Sequence, residues 1–214
     1  IVNSVGIIAF ACSGVFKGLK HNLDIFGITV LGVITACGGG IIRDILLNRM
    51  PTAIARPHDV YLAIFTSFLI YFTVKIQEKR LNMETIDNSK IFMRLVKLSD
   101  ALGLALFTII GANIAVKSGL EILSVAVMAT ITGVGGGIIR DLLVNEIPFV
   151  LKEDIYATLS FAGGIIYYIC IVNIGLAYNT VVPLLFVLLL MVRLVAIKYK
   201  LSLHLSKSKD GENK

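Results

Sequence analysis

The sequence predicts an all-α integral membrane protein of seven transmembrane helices, laid out as two inverted three-helix repeats plus a seventh helix, with helices 2 and 5 broken at Gly-Gly-Gly. Three observations carry this reading. Of the 214 residues, 57% are hydrophobic and 16% charged, at a mean hydropathy of +0.87, far from the balance of a soluble domain. Apolar stretches of membrane-crossing length recur along nearly the whole chain. One segment occurs twice, at a spacing that encloses an odd number of such stretches.

Hydrocarbon about 30 Å thick takes roughly 20 apolar residues per helix. Stretches of that kind fall at 1–16, 24–48, 59–76, 98–116, 120–145, 154–174 and 179–197. The first is expected to stay in place as a span, because it has neither a basic n-region nor a small-residue cleavage site. Residues 1–76 therefore form a first three-helix repeat and 98–174 a second, joined by the polar stretch 77–97, which reads as a cytoplasmic linker. The seventh helix, 179–200, has no counterpart, and 201–214 reads as a flexible basic tail.

The repeat is explicit in the residues. CGGGIIRDILLNRMP, from Cys37 to Pro51, recurs as VGGGIIRDLLVNEIP, from Val134 to Pro148, 97 residues later. At the same offset and without gaps, Gly6 pairs with Gly103, Phe10 with Phe107, Gly14 with Gly111, Lys20 with Lys117 and Thr35 with Thr132. Crossing the bilayer three times reverses the side, so the second copy enters from the opposite face.

Charge placement sets the expected orientation. With the N-terminus outside, 15 of the 20 Lys and Arg residues fall on the cytoplasmic side and three outside, namely Arg49, Arg56 and Lys117. The positive-inside rule then gives a multi-pass protein of the cell membrane with its C-terminus in the cytoplasm. The net charge of +6 concerns topology and not nucleic acid, since the cations sit at helix ends and in short polar stretches. Lys17, Lys20 and Lys117 close the first and fourth spans, as snorkelling anchors or in a lipid-headgroup or voltage-sensing role.

Gly38, Gly39 and Gly40, and again Gly135, Gly136 and Gly137, each cost a helix about 1 kcal/mol relative to alanine. The expectation is that the second and fifth spans bend or unwind there. The freed carbonyls, with the hydroxyls of Thr35 and Thr132, would then replace part of a cation's hydration shell. The plainer reading is that the glycines let helices approach closely. A phosphate loop is excluded, for the segment lacks GxGxxG spacing and follows no strand.

Arg43 with Asp44 and Arg140 with Asp141 are costly in hydrocarbon and should face the bundle interior or water. Sequence neighbours diverge by about 100° on a helix, so each charge is expected to pair elsewhere. The arginines read as structural bridges or as a positive filter, the aspartates equally as cation attractors or as neutralising partners. Asn48 and Asn145 should extend a polar stripe on the aspartate face. Asp100, the counterpart of Asn3, either hydrogen-bonds the broken helix of its own half or serves as a carboxylate at a helix N-terminus.

Cys12, Cys37 and Cys170 read as core residues, and His21, His58 and His204 as isolated interface residues. No metal-ligand spacing or catalytic set occurs, so no enzyme activity, cofactor or resident metal is expected, only transient monovalent cations.

The doubled GGGIIRD with a following Pro resembles the prokaryotic trimeric intracellular cation (TRIC) channels, which overlap the bacterial glycine-transporter-domain (UPF0126-like) membrane family. The resemblance runs over about residues 1 to 200. It implies a homotrimer with a pore in each protomer, lined by kinked helices 2 and 5 at the two glycine triplets and permeable to K+, with Na+ as a further permeant ion. The alternative function is a glycine-like small-solute secondary transporter, because inverted repeats also serve alternating access.

Overall fold

Helix α2 (Ile25–Leu46) starts where its sequence supplies a cap: the Asp24 carboxylate accepts the Gly27 amide at 2.7 Å. Its counterpart α6 (Ile122–Leu143) starts after Glu121. Both run as uninterrupted α-helix through their glycine triplets in this computed structural model, which describes residues 2–55, 57–81, 89–153 and 155–199.

The unwound turn expected at 38–40 and at 135–137, and with it the break in helices 2 and 5, does not form. The physical reason lies in what the glycines touch. A methyl group on Gly39 would strike the Thr132 carbonyl oxygen, and one on Gly136 would strike the Thr35 carbonyl oxygen. A methyl on Gly135 would lie 3.0 Å from the Gly39 Cα. The triplets are the place where α2 and α6 cross backbone to backbone, the close-packing use of small residues.

Around that crossing sit α1 (Val2–Lys20), α3 (Thr52–Ala55), α4 (His58–Leu81), α5 (Ser89–Lys117), α7 (Phe149–Lys152), α8 (Ala157–Tyr168) and α9 (Tyr178–Tyr199). A π-helical turn, Ile169–Asn173, continues α8. Among the described residues, six helical stretches are long and apolar enough to cross a membrane: Val2–Lys20, Ile25–Leu46, His58–Gln77, Lys90–Lys117, Ile122–Leu143 and Tyr178–Tyr199. The stretch expected as a sixth span forms a shorter apolar helix, Ala157–Asn173. Helix extends into the polar 77–97 segment from both sides, to Leu81 and from Ser89. Residues 82–88 of that segment, Arg56, His204 and the tail 201–214 lie outside the described residues.

Helix α1 packs mainly on α5 and α2, and α6 on α5, α2 and α8. The two halves answer each other contact for contact. Phe10 and Phe107 stack with centroids 5.1 Å apart, and each lies over the other half's glycine, Phe107 over Gly6 and Phe10 over Gly103. Thr35 donates to Leu31 O and Thr132 to Met128 O, each at 2.6 Å. Both hydroxyls are buried against the glycine of a neighbouring helix, Gly14 for Thr35 and Gly111 for Thr132.

Both crossing helices end in the same way. Asn48 and Asn145 adopt φ of 50° and 55°, and the next amides reach back to Asp44 O at 3.0 Å and Asp141 O at 2.9 Å. This is a left-handed C-terminal cap, which Asn tolerates better than other side chains do. The expected Asp–Asn stripe is therefore corrected: each asparagine lies past the helix end and is exposed.

The crossing gives a direct test. Gly39→Ala should destabilise the detergent-solubilised protein by about 1–3 kcal/mol, the cost of overpacking, whereas Gly40→Ala, whose methyl meets only Arg43 Nη2 at 3.6 Å, should leave it unchanged. Equal thermal unfolding curves for the two variants would refute the crossing.

Candidate functional site

Two polar assemblies occupy opposite ends of the helix pair α2–α6, and each is built around one copy of the Arg-Asp motif. At the Asn3 end, Arg43 donates from Nε to Asp44 Oδ1 at 2.9 Å, with Nη2 at 2.8 Å from the same oxygen. Asp44 Oδ2 accepts the Thr52 amide at 2.9 Å and the Thr52 hydroxyl at 3.1 Å, and Arg49 Nε lies 3.2 Å from Oδ1. At the Lys17 end, Arg140 Nε donates to Asp141 Oδ1 at 3.0 Å, and Asp141 Oδ2 accepts the Phe149 amide at 3.1 Å.

Each aspartate thus neutralises its neighbouring arginine and fastens the short helix that follows the proline. The expectation that adjacent Arg and Asp pair elsewhere is overturned, because the arginine side chain is long enough to fold back over one helical step. A buried charge needs a partner whatever the route.

At the Asn3 end the assembly opens into a cavity of about 640 Å3. Its polar lining comes from Asn3, Arg43, Thr52, His58, Asp59 and Asn113, its glycine face from Gly40, and its apolar floor includes Ile7, Cys37 and Phe107. Asp59 is held by Asn3, whose Nδ2 donates to both carboxylate oxygens at 2.9 and 3.0 Å.

At the Lys17 end the charged groups among the described residues are packed against one another. Lys17 is fully buried, with Nζ 2.9 Å from Asp141 Oδ1 and 3.0 Å from Glu146 Oε2. Arg140 Nη1 donates to Asp100 Oδ1 at 2.7 Å and to Ser13 Oγ at 2.5 Å. The Phe149 ring carries Lys17 at 4.9 Å and Arg140 at 5.1 Å over its faces. Glu146 also takes Lys20 and His21, each at 2.7 Å. Burial raises the Glu146 pKa, but the hydrogen bonds from Lys20, Lys17 and His21 outweigh it and hold the group at about 2.

The structure brings Asp100, Arg140 and Asp141 together as one network. Asp100 lies mid-helix in α5, so it is no helix-terminal carboxylate. Lys17, expected as an interfacial anchor, is instead a core ion, while Lys117 is exposed. His21 and His58 each join one of the two assemblies. Sequence reasoning missed Asp59, Glu146 and Tyr156. The repeat offset held the signal for two of them, since it aligns Asp59 with Tyr156, eight residues past each proline.

Long apolar helices that bury ion pairs among themselves define a multi-pass integral membrane protein. The sequence model of the family described as "Glycine transporter" matches twice, over residues 1–75 and 97–171, once for each half. The inner membrane protein YadS of the UPF0126 group from Escherichia coli K12 is 40% identical over 200 residues, which is 93% of this chain and 91% of that protein. A prokaryotic TRIC channel crystallised in 0.5 M KCl is 37% identical, with a TM-score of 0.82 over 94% of this chain and 96% of that one. The TRIC trimeric intracellular cation channel orthologue from Rhodobacter sphaeroides is 27% identical, with a TM-score of 0.81 over 94% and 97%. The chain belongs to the family described as "Glycine transporter", and it is similar both to UPF0126 membrane proteins and to prokaryotic TRIC channels.

Two outcomes follow from the Lys17 network. Lys17→Met removes a fully buried cation from the network around Asp141 and should cost about 3–5 kcal/mol, whereas Lys20→Met on the same glutamate should cost under about 1 kcal/mol; chemical unfolding in detergent separates them, and equal costs would contradict the burial of Lys17. Because the Glu146 pKa is depressed from 4.5 to about 2, its contribution is complete above pH 4.5 and is lost as pH falls towards 2. The stability gap between wild type and Glu146→Gln should narrow over that window; a gap independent of pH would remove Glu146 from the network.

Proposed function

We propose that this protein is a monovalent cation channel, permeable to potassium, with a pore in each protomer of a homotrimer. The observation that carries the reading is the cavity at the Asn3 end. It sets a carboxylate, Asp59, and the amides of Asn3 and Asn113 around a recess whose apolar floor reaches Ile7 and Phe107 between the helices. A dry bundle has no use for such a polar recess, and a cation path does. The likeness to a prokaryotic TRIC channel and to a trimeric intracellular cation channel orthologue supports the same reading.

In this proposal the chain crosses the cell membrane seven times, as two inverted three-helix repeats and a seventh helix, α9. The N-terminus lies outside and the C-terminus inside, as the distribution of basic residues favours. Helices α2 and α6 wall the path. Gly38, Gly39, Gly135, Gly136, Thr35 and Thr132 set the separation of those walls, and Gly40 and Gly137 face the two polar ends. The Arg43–Asp44 and Arg140–Asp141 pairs lock the ends of the wall, and Asp59 attracts the cation. No enzyme activity enters the proposal.

The test is single-channel recording in planar bilayers with purified protein under a KCl gradient. Wild type should pass discrete potassium currents. Asp59→Asn should lower cation-over-anion preference and cut conductance at low ionic strength by at least about twofold, since it removes the focusing charge. Silence of wild type together with saturable glycine uptake into liposomes would replace the channel by a transporter.

A further inference from the structure

The two ends of the molecule are built from equivalent positions and are found in different conditions. Asn3, Cys37, Gly40, Arg43 and Asp59 all line the open cavity. Their counterparts 97 residues on are Asp100, Val134, Gly137, Arg140 and Tyr156, and those five are buried, whereas on the cavity side Asn3, Gly40 and Asp59 are half-buried and Cys37 and Arg43 keep only a narrow exposed edge.

The closed end is not satisfied by its own packing. Among the described residues, the buried side-chain polar atoms without a hydrogen-bond partner are Asp100 Oδ2, Arg140 Nη2, Tyr156 Oη and Arg193 Nε. Tyr156 Oη and Arg140 Nη2, with the Asp100 carboxylate, meet around Gly137, and Arg193 reaches the same tyrosine from its other side. A methyl on Gly137 would sit 2.8 Å from Tyr156 Oη, 3.2 Å from Asp100 Oδ1 and 3.6 Å from Arg140 Nη2. The Arg193 guanidinium stacks over the Tyr156 ring at 4.6 Å. Buried polar atoms in native proteins are nearly always paired, so a cluster of unpaired ones calls for an explanation.

The open end supplies it. At Gly40 only Arg43 Nη2 approaches a methyl position, at the same 3.6 Å, and the rest of that space is cavity. We infer that the space around Gly137 is a latent second polar cavity, the counterpart of the open one, which takes water and hydrated monovalent cations, and that the Tyr156 side chain is the residue that closes it. An acceptor on Asp100, a donor on Arg140 and a hydroxyl on Tyr156 are the groups a bridging water needs.

The closure has a visible latch. Arg193, from α9, donates to Ile155 O at 2.8 Å and pairs with Glu153, which also takes Lys97 at 2.6 Å. This pins the segment before α8 and lays the guanidinium on the tyrosine. Where the first half places the short Asp59, the second half places a ring wide enough to fill the same room. The use of the opening for conduction rests on the channel reading above, whereas the latent cavity itself does not.

The experiment reads access directly. In full-length protein reconstituted in liposomes, with Cys12 and Cys170 replaced by alanine, Cys37 lines the open cavity and a cysteine introduced by Val134→Cys occupies the equivalent closed position. A small, membrane-impermeant cationic thiol reagent should label Cys37 from the Asn3 end and leave the Val134→Cys position nearly unreactive from the Lys17 end. Adding Tyr156→Ala should accelerate labelling at that position by at least about tenfold, and Tyr156→Phe, which keeps the ring, should not. Tyr156→Val serves the same purpose should the alanine variant fail to fold. Unchanged labelling in a folded small-residue variant, or fast labelling before Tyr156 is altered, would overturn the inference. Faster labelling with no current in bilayers would leave the latent cavity standing and overturn the channel reading instead.

Discussion

The rest of the structure depends on one steric constraint, the contact between the α2 and α6 backbones at the two glycine triplets. Side chains as small as methyl would push Thr132 O away from Gly39 and Thr35 O away from Gly136. Because the helices meet this closely, their outward faces are free to hold the paired Arg-Asp motifs at opposite ends. In lipid this arrangement carries no backbone penalty, since every amide inside both helices keeps its own i→i−4 partner. The triplets keep helices together; they do not open them.

The second constraint is electrostatic. Lys17, Asp100, Arg140 and Asp141 are all withdrawn from solvent, two cations with two anions. Such a set tolerates low dielectric only as a unit, because removing any member leaves a charge with no solvent to screen it. At the Asn3 end the same motif meets Asp59 and a cavity, so hydration takes part of the load. The molecule is consequently tightly packed at one end and hollowed at the other, although the two ends come from the same repeat.

The all-helical membrane architecture was legible from length and hydropathy, and the paired halves from a doubled seven-residue identity. The helix breaks were misread because glycine cost counts only a helix alone. It leaves out what a neighbouring helix gains when no Cβ stands in the way, and that neighbour is 97 residues distant. The Arg–Asp pairing was misread for a related reason: a 100° separation describes Cβ directions, and a guanidinium reaches far beyond its Cβ. Asn48 and Asn145 were placed on a helix face because a pattern of four does not show where the helix stops. Asp59 and Tyr156 carry no signal in isolation; the repeat offset aligns them, and the cavity beside the first and the packed ring of the second give that alignment its meaning.

The salt bridge between Lys17 and Glu146 joins the two halves, and it has a meaning for their history. At the repeat offset Lys17 corresponds to Ile114, and Glu146 to Arg49. Two copies of the first half, assembled head to tail as the two halves are here, would set lysine against arginine. Two copies of the second would leave glutamate facing isoleucine. The duplicated segments have therefore become complementary rather than interchangeable, so only the heterologous pairing within one chain neutralises its own interior.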